Sequence, residues 1–198
     1  MTSVRFAAAA AAALLAATAA PALAHTAVLA QPAASAGAPS IVKSVKVEPG
    51  GLYEIVFNPA DSTLLVAAVG PRGETRGAIA RLSADLTPGQ AIDVSANPLY
   101  GLGFNSRTQT LYGTATRSGS VGVVDVRTGR LVATIKDGDD DSAHVREVIV
   151  DEARNKAYVT VVGGEANDAS RPNQIWVVDG ATNTLERKIC LLYTSDAA

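Results

Sequence analysis

The chain has 198 residues, enough for one domain with a sizeable core or for part of a larger fold. Its 17 Lys and Arg against 19 Asp and Glu leave a formal net charge of −2, which excludes a strong long-range pull toward nucleic acid or anionic membrane. A single cysteine, Cys190, excludes an internal disulfide.

Residues 1–24 carry one basic residue (Arg5), an Ala/Leu run from Phe6 to Ala20, and the triplet Ala22-Leu23-Ala24. That order predicts a secretory signal peptide cut before His25, and so a periplasmic or secreted protein with no transmembrane segment left after cleavage. The run is also shorter than the ~20 residues a spanning helix needs. Residues 25–40, rich in Ala, Pro and Ser, read as a flexible leader. His25 at a new N-terminus would offer copper an amine and an imidazole, but the leader supplies no nearby second ligand.

"IVKSVKV" (Ile41 to Val47) alternates apolar with polar residues and predicts a strand, ended by the turn residues "EPGG". The chain then repeats itself. "YEIVFNPADSTLLVAAV", "YGLGFNSRTQTLYGTAT" and "REVIVDEARNKAYVTVV" align on Phe57, Phe104 and Val150, each followed by Asn58, Asn105 or Asp151. Seven residues past each anchor come Leu64, Leu111 and Ala157. The later copies continue alike, with Asp125, Thr128, Leu131 and Ile135 matching Asp179, Thr182, Leu185 and Ile189; the first copy keeps the apolar rhythm there but loses the Asp and Thr.

Each copy reads as four short strands. Asn58 or Asp151 opens a polar turn by bonding local backbone. Gly129 supplies the positive φ of a tight hairpin, which Asn183 tolerates in the next copy. A four-stranded repeat of this length is the mark of β-propeller blades, so the fold expected is all-β.

"AYVTVV" (Ala157 to Val162) followed by "IWVVDGATNTL" (Ile175 to Leu185) resembles the YVTN-repeat propellers, most closely the exported YncE-like family. "LYEIVFNPADSTLLVAAVG", "TQTLYGTATRSGSVGVVDVRTG" and "REVIVDEARNKAYVT" stand in the family's order, and the likeness covers roughly Gly50 to Ile189. It implies a seven-bladed ring, of which residues 41–189 hold about three antiparallel blades, near 50–95, 98–137 and 143–189. The last nine residues, 190–198, are what the frame TGT CTC TTA TAC ACA TCT GAC GCT GCC would encode, and that frame resembles a transposon end ligated to DNA fragments for sequencing. The expectation is an adapter-derived tail on a propeller whose gene continues past Ile189.

Chemistry is sparse. His144, the only histidine within the repeats, sits in "DGDDDSAHVRE" and reads as an exposed loop residue. Asp137, Asp139 and Asp141 alternate like calcium ligands, but Ser142 and Val148 stand where an EF-type loop needs Gly and Glu. No cysteine or histidine cluster has zinc spacing and no haem motif is present, so no catalytic residue, metal site or cofactor is assigned. Trp176 is expected to pack between blades with its indole N–H bonded at an edge.

The repeat register marks one other place. Four residues before each anchor lie Tyr53, Tyr100 and Arg146, followed by Glu54, Gly101 and Glu147. In a propeller the first strand of each blade lines the channel, so these positions should gather at one mouth. Tyr53, Glu54, Tyr100, Arg146 and Glu147 are therefore the expected ligand-binding residues. The function expected is non-catalytic binding of a small molecule, a protein or, as the resemblance admits, DNA. The alternative is a subunit of a periplasmic redox enzyme whose site lies in further blades.

Overall fold

The computed structural model describes residues 39–71, 73–74, 76–138, 143–163 and 171–191. The predicted signal peptide, nearly all of the leader, Asp139 to Ser142 of the acidic loop, and the tail from residue 192 lie outside the described residues.

Twelve strands form three antiparallel sheets in simple sequence order. The first holds β1 (Leu52–Asn58), β2 (Thr63–Ala68), β3 (Ala78–Ser83) and β4 (Ile92–Asp93). The second holds β5 (Leu102–Asn105), β6 (Thr110–Ala115), β7 (Ser120–Asp125) and β8 (Arg130–Ile135). The third holds β9 (His144–Asp151), β10 (Lys156–Val162), β11 (Asn173–Asp179) and β12 (Thr184–Leu191). Among the described residues there is no helix, and so none long and apolar enough to cross a membrane.

The repeat alignment is a pairing register. Phe57 pairs with Leu64, Phe104 with Leu111 and Val150 with Ala157. The polar turns close as their residues dictate: Asn58 Oδ1 accepts the Ala60 N–H (3.1 Å), Asn105 Oδ1 that of Arg107 (3.0 Å) and Asp151 Oδ1 that of Arg154 (3.0 Å). Gly129 and Asn183 take positive φ, 66° and 55°, in the hairpins before β8 and β12. In the first blade Leu86 holds that conformation (φ 63°) and Pro88 follows, a residue with no N–H for a ladder. Its fourth strand is accordingly only two residues long.

Two apolar clusters join the blades. Leu65, Ala67, Ile79, Ile92 and Val94 pack against Leu99, Leu102, Leu111 and Val124. Tyr112, Val121 and Val123 meet Val145, Val148, Val159 and Trp176. Trp176 is buried there with Nε1 donating to Gln174 Oε1 at 3.2 Å, as its sequence context predicts. A buried tryptophan of this kind resists truncation by about 3–5 kcal/mol. The first strands lie side by side, β1 against β5 and β5 against β9.

Two expectations need correction. "IVKSVKV" forms no strand, because nothing among the described residues pairs with its backbone. Its alternation survives as burial: Val45 and Val47 pack on Val66, Ala68, Ala80 and Leu82, while Ile41 and Val42 stay exposed. Val45 and Val47 lie 47 residues before Ile92 and Val94, which pack on the second blade in the same way. His144 is not in a loop; it opens β9 opposite Val162 and is partly buried. The last strand also runs past Ile189, with Cys190 opposite Gln174 and Leu191 opposite Asn173. An exposed edge strand asks only for backbone pairing, which any non-proline residue supplies.

Candidate functional site

The site begins with an irregularity that every blade repeats. Leu52 pairs with Ala68 and Ile55 with Val66, so Tyr53 and Glu54 together face Ala67. Val145 pairs with Val161 and Val148 with Val159, leaving Arg146 and Glu147 opposite Thr160. Tyr100 and Gly101 share Thr114, through Tyr100 N–H to the Thr114 carbonyl (2.7 Å) and Thr114 N–H to the Gly101 carbonyl (2.9 Å). These are β-bulges. In a regular strand adjacent side chains point to opposite faces; a bulge re-aims them.

All five residues expected from the register, Tyr53, Glu54, Tyr100, Arg146 and Glu147, line one open cavity of about 950 Å³. The rings of Tyr53 and Tyr100 meet edge to face, with centroids 4.7 Å apart and planes at 74°. The Arg117 guanidinium lies 5.7 Å from the Tyr100 centroid and donates through Nη1 to the Glu74 carbonyl at 3.3 Å. Arg117 and Thr116 also line the cavity and were not anticipated. They follow directly on β6, two and three residues past Thr114, which faces the bulge, and that adjacency is the signal that marks them.

Glu54 accepts the Leu102 N–H at 2.7 Å, tying the first blade to the second. Burial holds its carboxyl above the usual carboxylate range; the Leu102 bond opposes this, and the Glu147 carboxyl adds to it. Behind the mouth, the Thr114 hydroxyl accepts the Gly101 N–H (2.8 Å) and donates to the Arg146 carbonyl (2.6 Å). Thr116 donates to the Val145 carbonyl at 2.8 Å. These bonds fix the backbone that carries Arg146 and leave its guanidinium facing solvent. The His144 imidazole is held below its ordinary pKa by burial first, then by Arg146 and Arg171. No group of three His, Cys, Asp or Glu suited to a metal ion occurs among the described residues.

Such a mouth offers an aromatic surface, hydroxyls, carboxylates and guanidinium groups converging from three blades. It can hold a polar ligand by hydrogen bonds and stacking.

No family model matches the sequence, and no curated protein matches it. Among solved structures the chain is similar to Kuenenia stuttgartiensis hydrazine synthase, with 22% identity and a TM-score of 0.57 over 77% of this chain and 40% of that one. It is also similar to a chain of the nidogen/laminin complex, with 14% identity and a TM-score of 0.52 over 71% of this chain and 48% of that one. The chain therefore spans less than half the length of either neighbour. What the likeness shows, together with the three four-stranded sheets, is the fold: this chain is built of β-propeller blades.

Proposed function

We propose that this protein is an exported, YncE-like member of the YVTN-repeat propellers that binds a polar ligand at the mouth of its channel and performs no chemistry on it. The described blades would be three of a seven-bladed ring, and the leader supports export. The observation that carries the binding role is the repeated bulge, which brings Tyr53 and Glu54, Tyr100, and Arg146 and Glu147 from three blades to one cavity. A purely structural bulge would not require Tyr, Arg and Glu at the positions it re-aims.

DNA binding gains nothing from the mouth. Among the described lining residues Arg117 and Arg146 are matched by Glu54 and Glu147, an even balance that gives phosphates no charge advantage. The test is a thermal-shift screen with sugars, amino acids, dicarboxylates and nucleotides, run on the chain and on a Tyr53→Ala/Arg146→Ala variant. Both residues are exposed, so the variant is expected to keep the fold. At least one compound should stabilise the chain and lose that effect in the variant; equal responses from both proteins would sink the reading.

A further inference from the structure

Resting on that binding reading, we infer that the mouth selects an uncharged oligosaccharide. Four observations lead there.

Size is the first. At about 950 Å³ the cavity lies at the upper end of the ~300–1,000 Å³ typical of small-molecule sites, so one sugar or one amino acid would leave most of it filled with water.

Charge is the second. Glu54 and Glu147 are interleaved with Arg117 and Arg146. A polyanion brought to Arg146 also meets Glu147, and a polycation brought to Glu147 also meets Arg146. With two groups of each sign among the described lining residues, the opposed terms offset one another and a net charge on the ligand gains little.

Hydrogen-bonding capacity is the third. A sugar hydroxyl both donates and accepts, so it is best served where donors and acceptors alternate. Arg146 only donates, the Glu147 carboxyl oxygens accept, and the two are adjacent on one bulge. The Tyr53 and Tyr100 hydroxyls do both, and no hydrogen bond within the described residues engages either one.

The aromatic platform is the fourth. Tyr53 is 64% exposed and is held at a fixed angle by Tyr100, which Arg117 braces from beyond. A pre-set ring offers an apolar face to the C–H side of a sugar at little cost in side-chain entropy.

Isothermal titration of the full chain tests this, with maltotetraose, cellotetraose and tetra-N-acetylchitotetraose as probes. Tetragalacturonate, tetra-alanine and a thymidine tetranucleotide serve as comparators. At least one neutral tetrasaccharide should bind saturably, and about tenfold more tightly than its parent monosaccharide. Its affinity should not change between about 0.05 and about 0.5 M salt, because no net charge is neutralised. Tyr53→Ala should weaken it at least about tenfold, with Tyr53→Trp restoring it because the platform returns.

If all three neutral probes fail, the inference falls. If tetragalacturonate or the tetranucleotide binds instead and depends on Arg146, the mouth still binds a ligand and only the class is wrong. If no probe's binding responds to Tyr53 or Arg146, the inference and the binding reading fall together.

Discussion

The two interfaces between blades use the same latch on one side of the sheet and different devices on the other. At the turns, buried Asn58 exchanges amide hydrogen bonds with Gln109 (2.9 and 3.1 Å), and buried Asn105 donates to Asn155 (2.9 Å). Gln109 and Asn155 are the positive-φ residues of corresponding turns. At the mouth the symmetry stops. The first interface has Glu54 in the second bulge position, reaching to the Leu102 N–H; the second has Gly101 there, so close that an added Cβ would lie 2.4 Å from the Arg146 carbonyl oxygen. One junction is bridged by a carboxyl group and the other by the Thr114 and Thr116 hydroxyls, which reach the Arg146 and Val145 carbonyls beside the close approach at Gly101. Gly101 places no side chain at the position where the blades on either side carry Glu54 and Glu147, and the Glu147 carboxyl acts on that of Glu54. A structural economy at one junction thus creates the chemistry of the cavity.

The largest effect should come from filling that gap. Gly101→Ala places a methyl group against backbone, which cannot swing aside as a flexible side chain would. The second and third blades must then part, at a cost of about 3 kcal/mol, the upper end for overpacking. Glu54→Ala, at the corresponding position, adds no atom and removes one partly exposed hydrogen bond, for about 1 kcal/mol. Urea unfolding of both variants checks this. Equal losses would mean that the junctions do not differ as described.

How much of this was legible is a matter of range. The anchors Phe57, Phe104 and Val150 declared the hairpins because alternation and turn residues act within a dozen positions, and that local register brought Tyr53, Tyr100 and Arg146 to one mouth. The bulges were not legible, because two residues opposite one is a property of the partner strand as well as of the strand itself. "IVKSVKV" failed as a strand for a related reason: alternation reports which side chains are buried, not whether the backbone has a neighbour. His144 was assigned to a loop by the acidic residues before it, yet pairing with Val162 carried β9 back to include it.

A second test separates a covered blade face from an open one. Thr114 is fully buried and serves both Gly101 N–H and the Arg146 carbonyl. Its counterpart Thr160 accepts the Glu147 N–H at 3.1 Å but lies exposed on a face that no described residue covers. Thr114→Val keeps the shape and strands the buried Gly101 N–H and the part-buried Arg146 carbonyl, so about 2 kcal/mol should be lost. Thr160→Val should cost less than about 0.5 kcal/mol, since water takes over the freed N–H. A Thr160→Val loss as large as that of Thr114→Val, read from urea midpoints, would show that the third blade does not depend on a neighbour for its burial.

The smallest effect concerns the carboxyl pair, and its sign follows from Glu54. The Glu54 carboxyl is held above its ordinary range in the folded protein, chiefly by burial and then by Glu147 acting against the Leu102 bond. The folded state therefore holds this proton more tightly than the unfolded chain does. Stability from this group is complete below the unfolded value and is lost as pH rises through the raised, folded one. Glu54→Gln keeps an oxygen for the Leu102 N–H and cannot ionise, so it should remove that slope and leave the variant relatively more stable at neutral pH than in acid. Thermal melts of both proteins across the carboxylate range measure it directly. A wild-type stability that rises through the same window more steeply than the variant's would mean that Glu54 is ionised without penalty, and that Glu147 does not crowd it.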